Sequence, residues 1–349
     1  MQYRQLGHSS LKISAIGLGT MTWGKQNTQT EGFEQMNTAL AQGVNFFDTA
    51  EMYPVPAEAD TCHETERIIG NWFAQHGKRD QVILATKAAG PGRHMQHIRQ
   101  GPKLNREHLT TALEGSLKRL QTDTIDLYQI HWPARSANYF GRLNYTPDNC
   151  EQQQQTEDTL RETLTTLHDF IKAGKIRYYG VSNETPWGLM TYLRLAKELG
   201  MPAPVSIQNP YSLLNRSFEV GLAEICHREN IGLLAYSPLA FGMLTGKYHQ
   251  TKTPENARLS LFPNYQRYTG EAAKQATALY MEVAQKYGHS PTEQALQFVT
   301  QQPFVASNLM GATNIKQLNE NINSINKLLS TEQLEELEQV FKRHPNPAP

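Results

Sequence analysis

The chain has 349 residues, 39% hydrophobic and 19% charged, which excludes disorder and fibrous repeats but leaves one barrel-sized domain or two smaller ones open. Its 33 basic and 33 acidic residues balance, no Lys/Arg block stands ready for phosphates, and no apolar run nears the ~20 residues that span a bilayer, so neither nucleic acid nor a membrane is an expected partner. MQYRQLGHSS has no apolar stretch of signal-peptide type, and the widely spaced Cys62, Cys150 and Cys226 read as free thiols of a cytoplasmic protein.

Tyr3–Leu11, with Gly7 and Ser9 at a turn, reads as a hairpin plugging a barrel floor. Short runs rich in β-branched residues then alternate with helical spacing. Ala15–Gly19 is a strand and Glu31–Gln42 a helix stopped by Gly43. Val44–Asp48 precedes the helix Glu64–Gln75, and Val82–Thr86 precedes Arg106–Leu120, which Asn105 caps. Ile125–Ile130 is followed by a helix over Asp158–Lys172. The second half repeats the rhythm. Strands Ile176–Val181, Val205–Gln208 and Ile231–Ala235 are followed by helices Trp187–Leu199 (after Pro186), Phe218–Glu229 and Gly270–Tyr287. Pro291–Gln301 is helical, Phe304–Ser307 is a strand, and Asn314–Asn323 and Thr331–Lys342 end the chain as helices. Eight such strands with no composition break predict a single α/β domain over 1–349, a (β/α)8 TIM barrel. A doubly wound open sheet gives a similar alternation. Two connections, Trp132–Thr156 and Ser237–Thr269, exceed ordinary barrel loops and fall at the C-terminal rim, where barrel enzymes hold their sites. The run Gln152–Gln155 reads as a solvated loop. The proline-rich tail Pro345–Pro349 either packs over the mouth or is disordered.

Polar residues collect at the strand ends. Asp48, Lys87 and His131 end three successive strands, Ser182 and Asn183 follow the fifth, Gln208 ends the sixth, and Tyr236 with Ser237 follows the seventh. A charge at the end of a buried strand is costly unless paired, so the three ionisable groups should face one another across the rim. Singly, each has an ordinary structural explanation. Together they point to chemistry.

These residues sit in segments that resemble the aldo-keto reductase superfamily, along essentially the whole chain and in order. They are Gly17–Met21, Phe47–Tyr53, Ala85–Lys87, Gln129–Pro133, Gly180–Asn183, Ile207–Asn209, Tyr236–Leu239, Leu244–Tyr248, Gly311–Thr313 and Glu320–Asn321. Ala50–Pro56 and Asn209–Arg216 look most like its bacterial Tas-type branch. The resemblance implies an NADP(H)-dependent reductase of aldehydes and ketones, with NADH possible as coenzyme. In it Tyr53 is the general acid, Lys87 lowers the phenol's pKa, Asp48 holds Lys87, and His131 hydrogen-bonds the carbonyl oxygen.

The same resemblance implies coenzyme contacts from Thr20, Met21 and Asp48, and places Ser182, Asn183 and Gln208 at the nicotinamide carboxamide with Tyr236 stacked on the ring. Ser237, Pro238, Leu239, Gly242, Leu244, Gly246 and Lys247 would wrap the pyrophosphate. Gly311, Ala312, Thr313, Gln317, Glu320 and Asn321 would meet the adenosine end. Many relatives place Arg where this chain has Gln317, with Lys316 beside it, and another where it has Thr313. No G-x-G-x-x-G follows a strand, so a Rossmann site has no support. Trp23, Trp132, Tyr139 and Phe140 are candidate substrate-lining residues, with Tyr145, Phe262 and Tyr265 beside them on the long loops. No metal site is expected, since no H-x-H or paired His/carboxylate motif accompanies Asp48 and His131. The alternative function is a slow-turnover or non-enzymatic NADPH-binding subunit resembling the β subunits of potassium channels. Oligomeric state is not readable.

Overall fold

The computed structural model describes residues 1–249 and 254–349; part of the expected Ser237–Thr269 connection, 250–253, lies outside the described residues. In chain order the elements are β1 (Tyr3–Gln5), β2 (Lys12–Ser14), β3 (Ile16–Gly19), α1 (Gln29–Ala41), β4 (Phe46–Asp48), α2 (Glu64–His76), β5 (Ile83–Ala88), α3 (Arg106–Leu120), β6 (Ile125–Ile130) and α4 (Cys150–Lys172). There follow β7 (Ile176–Ser182), α5 (Pro186–Leu199), β8 (Ser206–Pro210), α6 (Leu222–Arg228), β9 (Gly232–Tyr236), α7 (Arg258–Leu261), α8 (Glu271–Lys286), α9 (Pro291–Thr300), β10 (Val305–Met310), α10 (Ile315–Asn323) and α11 (Thr331–Arg343). Strands β3 to β10 close into a parallel barrel, β10 pairing with both β3 and β9. An open doubly wound sheet is therefore excluded.

The antiparallel pair β1–β2 plugs the barrel floor. Leu6, Leu11 and Ile13 from this hairpin pack with Phe46, Ala85, Leu127 and Leu234, the lower layer of the barrel interior. Gly7 allows that seating. Its φ is +54°, and a Cβ there would stand 2.3 Å from the Val205 carbonyl oxygen. The outer core lies between strands and helices, where Trp72, Tyr128, Tyr179 and Tyr192 are buried.

Local chemistry explains the helix starts. Thr28, Asn149 and Ser290 form capping boxes with Glu31, Gln152 and Glu293, and Thr185 caps α5, with Pro186 in its first turn. The Asn149 box corrects the reading of Gln152–Gln155 as a loop, because α4 begins at Cys150 and includes the glutamines. The helix expected over Phe218–Glu229 is interrupted. A 3-10 turn, Ser217–Val220, precedes α6, with the poor helix former Gly221 between them. The tail is ordered against the rim. The Ala348 N–H donates to the Leu214 carbonyl at 3.1 Å, and Asn346 Oδ1 accepts from the Arg216 N–H at 2.7 Å. Among the described residues no helix is long and apolar enough to cross a membrane.

Candidate active site

The C-terminal ends of β4, β5 and β6 bring Asp48, Lys87 and His131 to one side of the barrel mouth, and the loop after β4 returns Tyr53 to them. Lys87 Nζ donates to Asp48 Oδ2 at 2.6 Å and to the Thr49 carbonyl at 2.7 Å. Asp48 Oδ1 accepts from Gln208 Nε2 at 2.9 Å and Gln129 Nε2 at 3.1 Å. The pair is sealed, with the Lys87 side chain 0% and the Asp48 side chain 5% exposed. The Lys87 ammonium lies 5.0 Å from the centroid of the Tyr53 ring, and that ring meets His131 edge-on at 5.7 Å.

Electrostatics at the cluster differ from expectation. Burial and the charge of Asp48 hold the Tyr53 phenol well above its usual pKa, and the cation that opposes them is Arg258, which the sequence reading did not single out. Lys87, expected to lower Tyr53, has its charge directed into Asp48. Burial lowers the ammonium's own pKa against Asp48's pull. Burial, with Lys87 adding to it, keeps the His131 imidazole far below its ordinary pKa and therefore neutral.

Across the mouth, Asn183 adopts φ +53° and ties the strand ends together. Its Nδ2 donates to the His131 carbonyl at 2.9 Å, and its Oδ1 accepts from the Tyr236 hydroxyl at 2.6 Å. Ser182 Oγ donates to the Gln208 carbonyl at 2.7 Å. Thr20 Oγ1 donates to the Asp48 carbonyl at 2.9 Å, so these expected contact residues share one hydrogen-bonded rim. Gln129 belongs to it as well. A glutamine inside the apolar run Ile125–Ile130 was the available signal.

Ser237 to Lys247 form a strap over the mouth, built partly of a 3-10 turn at Ala240–Thr245. Ser237 has φ +55° and Gly242 φ +92°, and a Cβ on Gly242 would stand 2.6 Å from Lys247 Cε. Leu239 and Leu244 anchor the strap in the core, while Lys247 is half-buried. Arg258, from α7, lies with its guanidinium 4.3 Å from the Phe241 ring centroid and 3.8 Å from Met21 Sδ. Burial lowers the pKa of Arg258, and burial plus the charge of Arg258 lowers that of Lys247. Further round the rim, Gln317 Oε1 accepts from the Thr313 N–H and hydroxyl at 3.0 Å each. Asn321 Nδ2 donates to the Gly311 carbonyl at 3.2 Å, and Glu320 accepts from Ser290. Ala312 is buried.

The aromatic residues expected to form a substrate wall do not share one surface. Trp23 is fully buried, packed on Gly32 of α1, with its indole N–H on Gln35 at 3.2 Å, so it lines no accessible surface. Trp132 donates to the Pro91 carbonyl and presents its edge to Phe140 at 5.9 Å. Tyr139, Phe140 and Tyr145 line a cavity of 820 Å³ that borders the strand ends at Asn183 and does not include Tyr53 or His131 in its wall. Phe262 and Tyr265 instead lie beside Lys25 and Arg258.

Comparison with known sequences gives the family. A sequence model of the aldo/keto reductase family matches residues 15–342. The chain belongs to the aldo/keto reductase family. This aldo-keto reductase is 49% identical to Protein tas of Escherichia coli K12 over 350 aligned positions, covering 100% of both chains. It is 31% identical to the uncharacterized oxidoreductase YrpG of Bacillus subtilis, across 98% of this chain and 96% of that one. It is also 33% identical to the aldo-keto reductase YhdN of the same organism, across 91% and 87%. The family is one of oxidoreductases that use nicotinamide coenzymes on small carbonyl compounds.

Proposed function

We propose that this barrel, acting as one domain, reduces aldehydes or ketones to alcohols with NADPH, and that Tyr53 delivers the proton to the carbonyl oxygen. The observation that carries the reading is the convergence of Tyr53, the sealed Lys87–Asp48 pair and a neutral His131 at one corner of the mouth.

The raised pKa of Tyr53 keeps its proton in place at neutral pH, so the phenol is in its acid form before reaction and its donation depends on stabilising the phenolate. Lys87, fixed by Asp48 and Thr49, lies 5.0 Å from the centroid of the ring that becomes a phenolate, and what its charge retains beyond Asp48, with the pull of Arg258, stabilises that product. A neutral His131 carries one ring N–H to donate to the carbonyl oxygen as negative charge develops there.

The rim suits a dinucleotide. Lys247 and Arg258 are half-buried cations without a carboxylate partner among the described residues, and burial depresses both, so a pyrophosphate between them would relieve both. Asn183, Ser182 and Gln208 would meet the carboxamide and Tyr236 the ring. Thr20, Met21, Gly311, Thr313, Glu320 and Asn321 would hold the rest. When bound, the nicotinamide supplies the hydride. The family resemblance makes NADPH the preferred coenzyme of this reading. NADH is its alternative, because Gln317 offers no guanidinium to a 2′-phosphate.

The test follows NADPH oxidation with a panel of aldehydes, comparing wild type with Tyr53→Phe. Turnover by wild type, and a loss of about 10²–10⁴-fold in Tyr53→Phe with NADPH affinity retained, supports the reading. NADPH binding without turnover replaces it by the slow-turnover regulatory subunit. Absence of coenzyme binding removes it.

A further inference from the structure

Arg267 stands at the inner wall of the 820 Å³ cavity, in no ion pair among the described residues. Its guanidinium carbon lies 5.7 Å from the Phe140 ring centroid and 5.9 Å from that of Tyr268. Its polar neighbours are the neutral phenols of Tyr236 and Tyr268, and no side-chain carboxylate among the described residues pairs with it. The other cations on the wall are disposed differently. Arg135 forms a two-point pair with Glu184 at 2.5 and 3.0 Å, and Arg142 is exposed above Tyr139. The acids there are no partners for Arg267 either. Glu157 is paired with Arg194 at 2.9 Å, Asp148 shows no ion pair with it, and the Pro349 carboxyl end, on the same wall, forms none with it either.

An enclosed guanidinium without an anion is costly, and its planar fork matches a carboxylate in two hydrogen bonds. The position fits a ligand group. Arg267 neighbours the Tyr236 phenol, which donates to Asn183, and Asn183 both lines the cavity and holds the His131 carbonyl. A molecule whose carbonyl reaches the Tyr53–His131 corner would extend past Asn183 and along Phe140, whose ring packs edge-on against Tyr139, toward Arg267. Gly141 borders the same spot, where a Cβ would stand at ordinary contact distance, 3.5 Å from Arg267 Nε and 3.7 Å from the Pro349 backbone oxygen. The cavity's volume suits a compact organic molecule.

We propose that Arg267 anchors a carboxylate on the substrate, so that the preferred substrates are aldehydes or ketones with an apolar, ring-sized body and an acid group at its far end. This rests on the reductase reading above.

The test compares 4-carboxybenzaldehyde with its neutral methyl ester in wild type, Arg267→Met and Arg267→Lys. In parallel, the non-reducible pair 4-methylbenzoate and methyl 4-methylbenzoate is titrated by tryptophan fluorescence, Trp187 lying on the cavity wall. Wild type should favour the acid. Arg267→Met should lose roughly tenfold to a hundredfold in kcat/KM for the acid, mainly through KM, with the ester changed by less than about twofold. Arg267→Lys should recover part of the loss, and benzoate binding should weaken in step. Equal loss on both aldehydes overturns the proposal. So does weaker NADPH binding, or a lowered Tm, with the acid-to-ester ratio unchanged, since these mark coenzyme binding or bracing of Tyr236 and Tyr268. If wild type reduces neither aldehyde, the aldehyde panel still decides the reductase reading, and the benzoate titration alone decides the anion site.

Discussion

Replacing Asp48 by asparagine removes one charge from the sealed pair while keeping its shape, and the structure sets what this should cost. The new side-chain amide would still offer an oxygen to Gln129 and Gln208, so those bonds survive. Lys87, fully buried, would keep only the Thr49 carbonyl. Leaving one partner of a buried ion pair uncompensated costs about 3–5 kcal/mol. Lys87→Met should cost about 3 kcal/mol, at the low end, because the remaining carboxylate retains two amide donors. The double variant Asp48→Asn/Lys87→Met holds no charge and loses the ammonium–carbonyl bond, about 1 kcal/mol net. It should therefore be more stable than either single variant. The pH signature is specific. In Asp48→Asn the folded-state pKa of Lys87, already lowered by burial, falls further below its unfolded value near ~10.4. A group depressed in the folded state costs stability as pH falls below its unfolded pKa, so the deficit should shrink as pH rises from about 7 to about 9.5, by at most ~1.4 kcal/mol per unit. Urea unfolding followed by tryptophan fluorescence at both pH values measures all four proteins. Additive losses in the double variant, or a deficit in Asp48→Asn that does not change with pH, would refute the argument.

The raised Tyr53 and depressed His131 pKa values imply that both groups keep their reactive protonation states across the neutral range. The kcat/KM for reduction should accordingly be flat from about pH 6 to about pH 9, and a titration centred near pH 7 would contradict it. Arg258→Met should raise the dissociation constant for NADPH roughly tenfold or more by fluorescence titration, while leaving the fold intact by circular dichroism. Gly70→Ala probes packing alone. A Cβ there would stand 2.0 Å from the Arg119 carbonyl oxygen where α2 meets α3, so a loss of about 1–3 kcal/mol is expected by urea unfolding.

The barrel was legible because each of its strands is buried on both faces and flanked by helix signals, a pattern that tolerates errors of a few residues at the ends. Val44, expected to open a strand, lies before β4, yet the strand and its closing Asp48 stand. The glutamine run was misread for a physical reason. The first turns of α4 are exposed, so apolar periodicity starts only at Leu160, and the information sits in the Asn149–Gln152 capping box. Trp23 failed differently. An aromatic residue on a rim loop looks like cavity wall, and only the three-dimensional approach of Gly32 shows that it packs beneath α1.

The strand-end groups of the site could be read because a polar residue closing an apolar strand needs a partner, and β4, β5 and β6 are neighbours in both sequence and space. Arg258 and Arg267 could not. They sit in a connection with no periodicity, and what distinguishes them is the absence of an ion-pair partner among the described residues, a property of the folded chain. The direction of the charge effects was equally hidden. Lys87 was expected to act on Tyr53, but a lysine already directed at Asp48 has less to give, and the cation opposing the rise in Tyr53 comes from α7, beyond the strap. Arg258 therefore couples two parts of the proposed mechanism. If a pyrophosphate pairs with Arg258, its charge cancels the pull of that guanidinium on Tyr53, and the phenol of the loaded protein holds its proton more firmly than that of the free one. The phenol would thus be a weaker acid with coenzyme bound, which leaves stabilisation of the phenolate to Lys87, and Arg258→Met, which removes the same cation, should imitate that part of coenzyme binding.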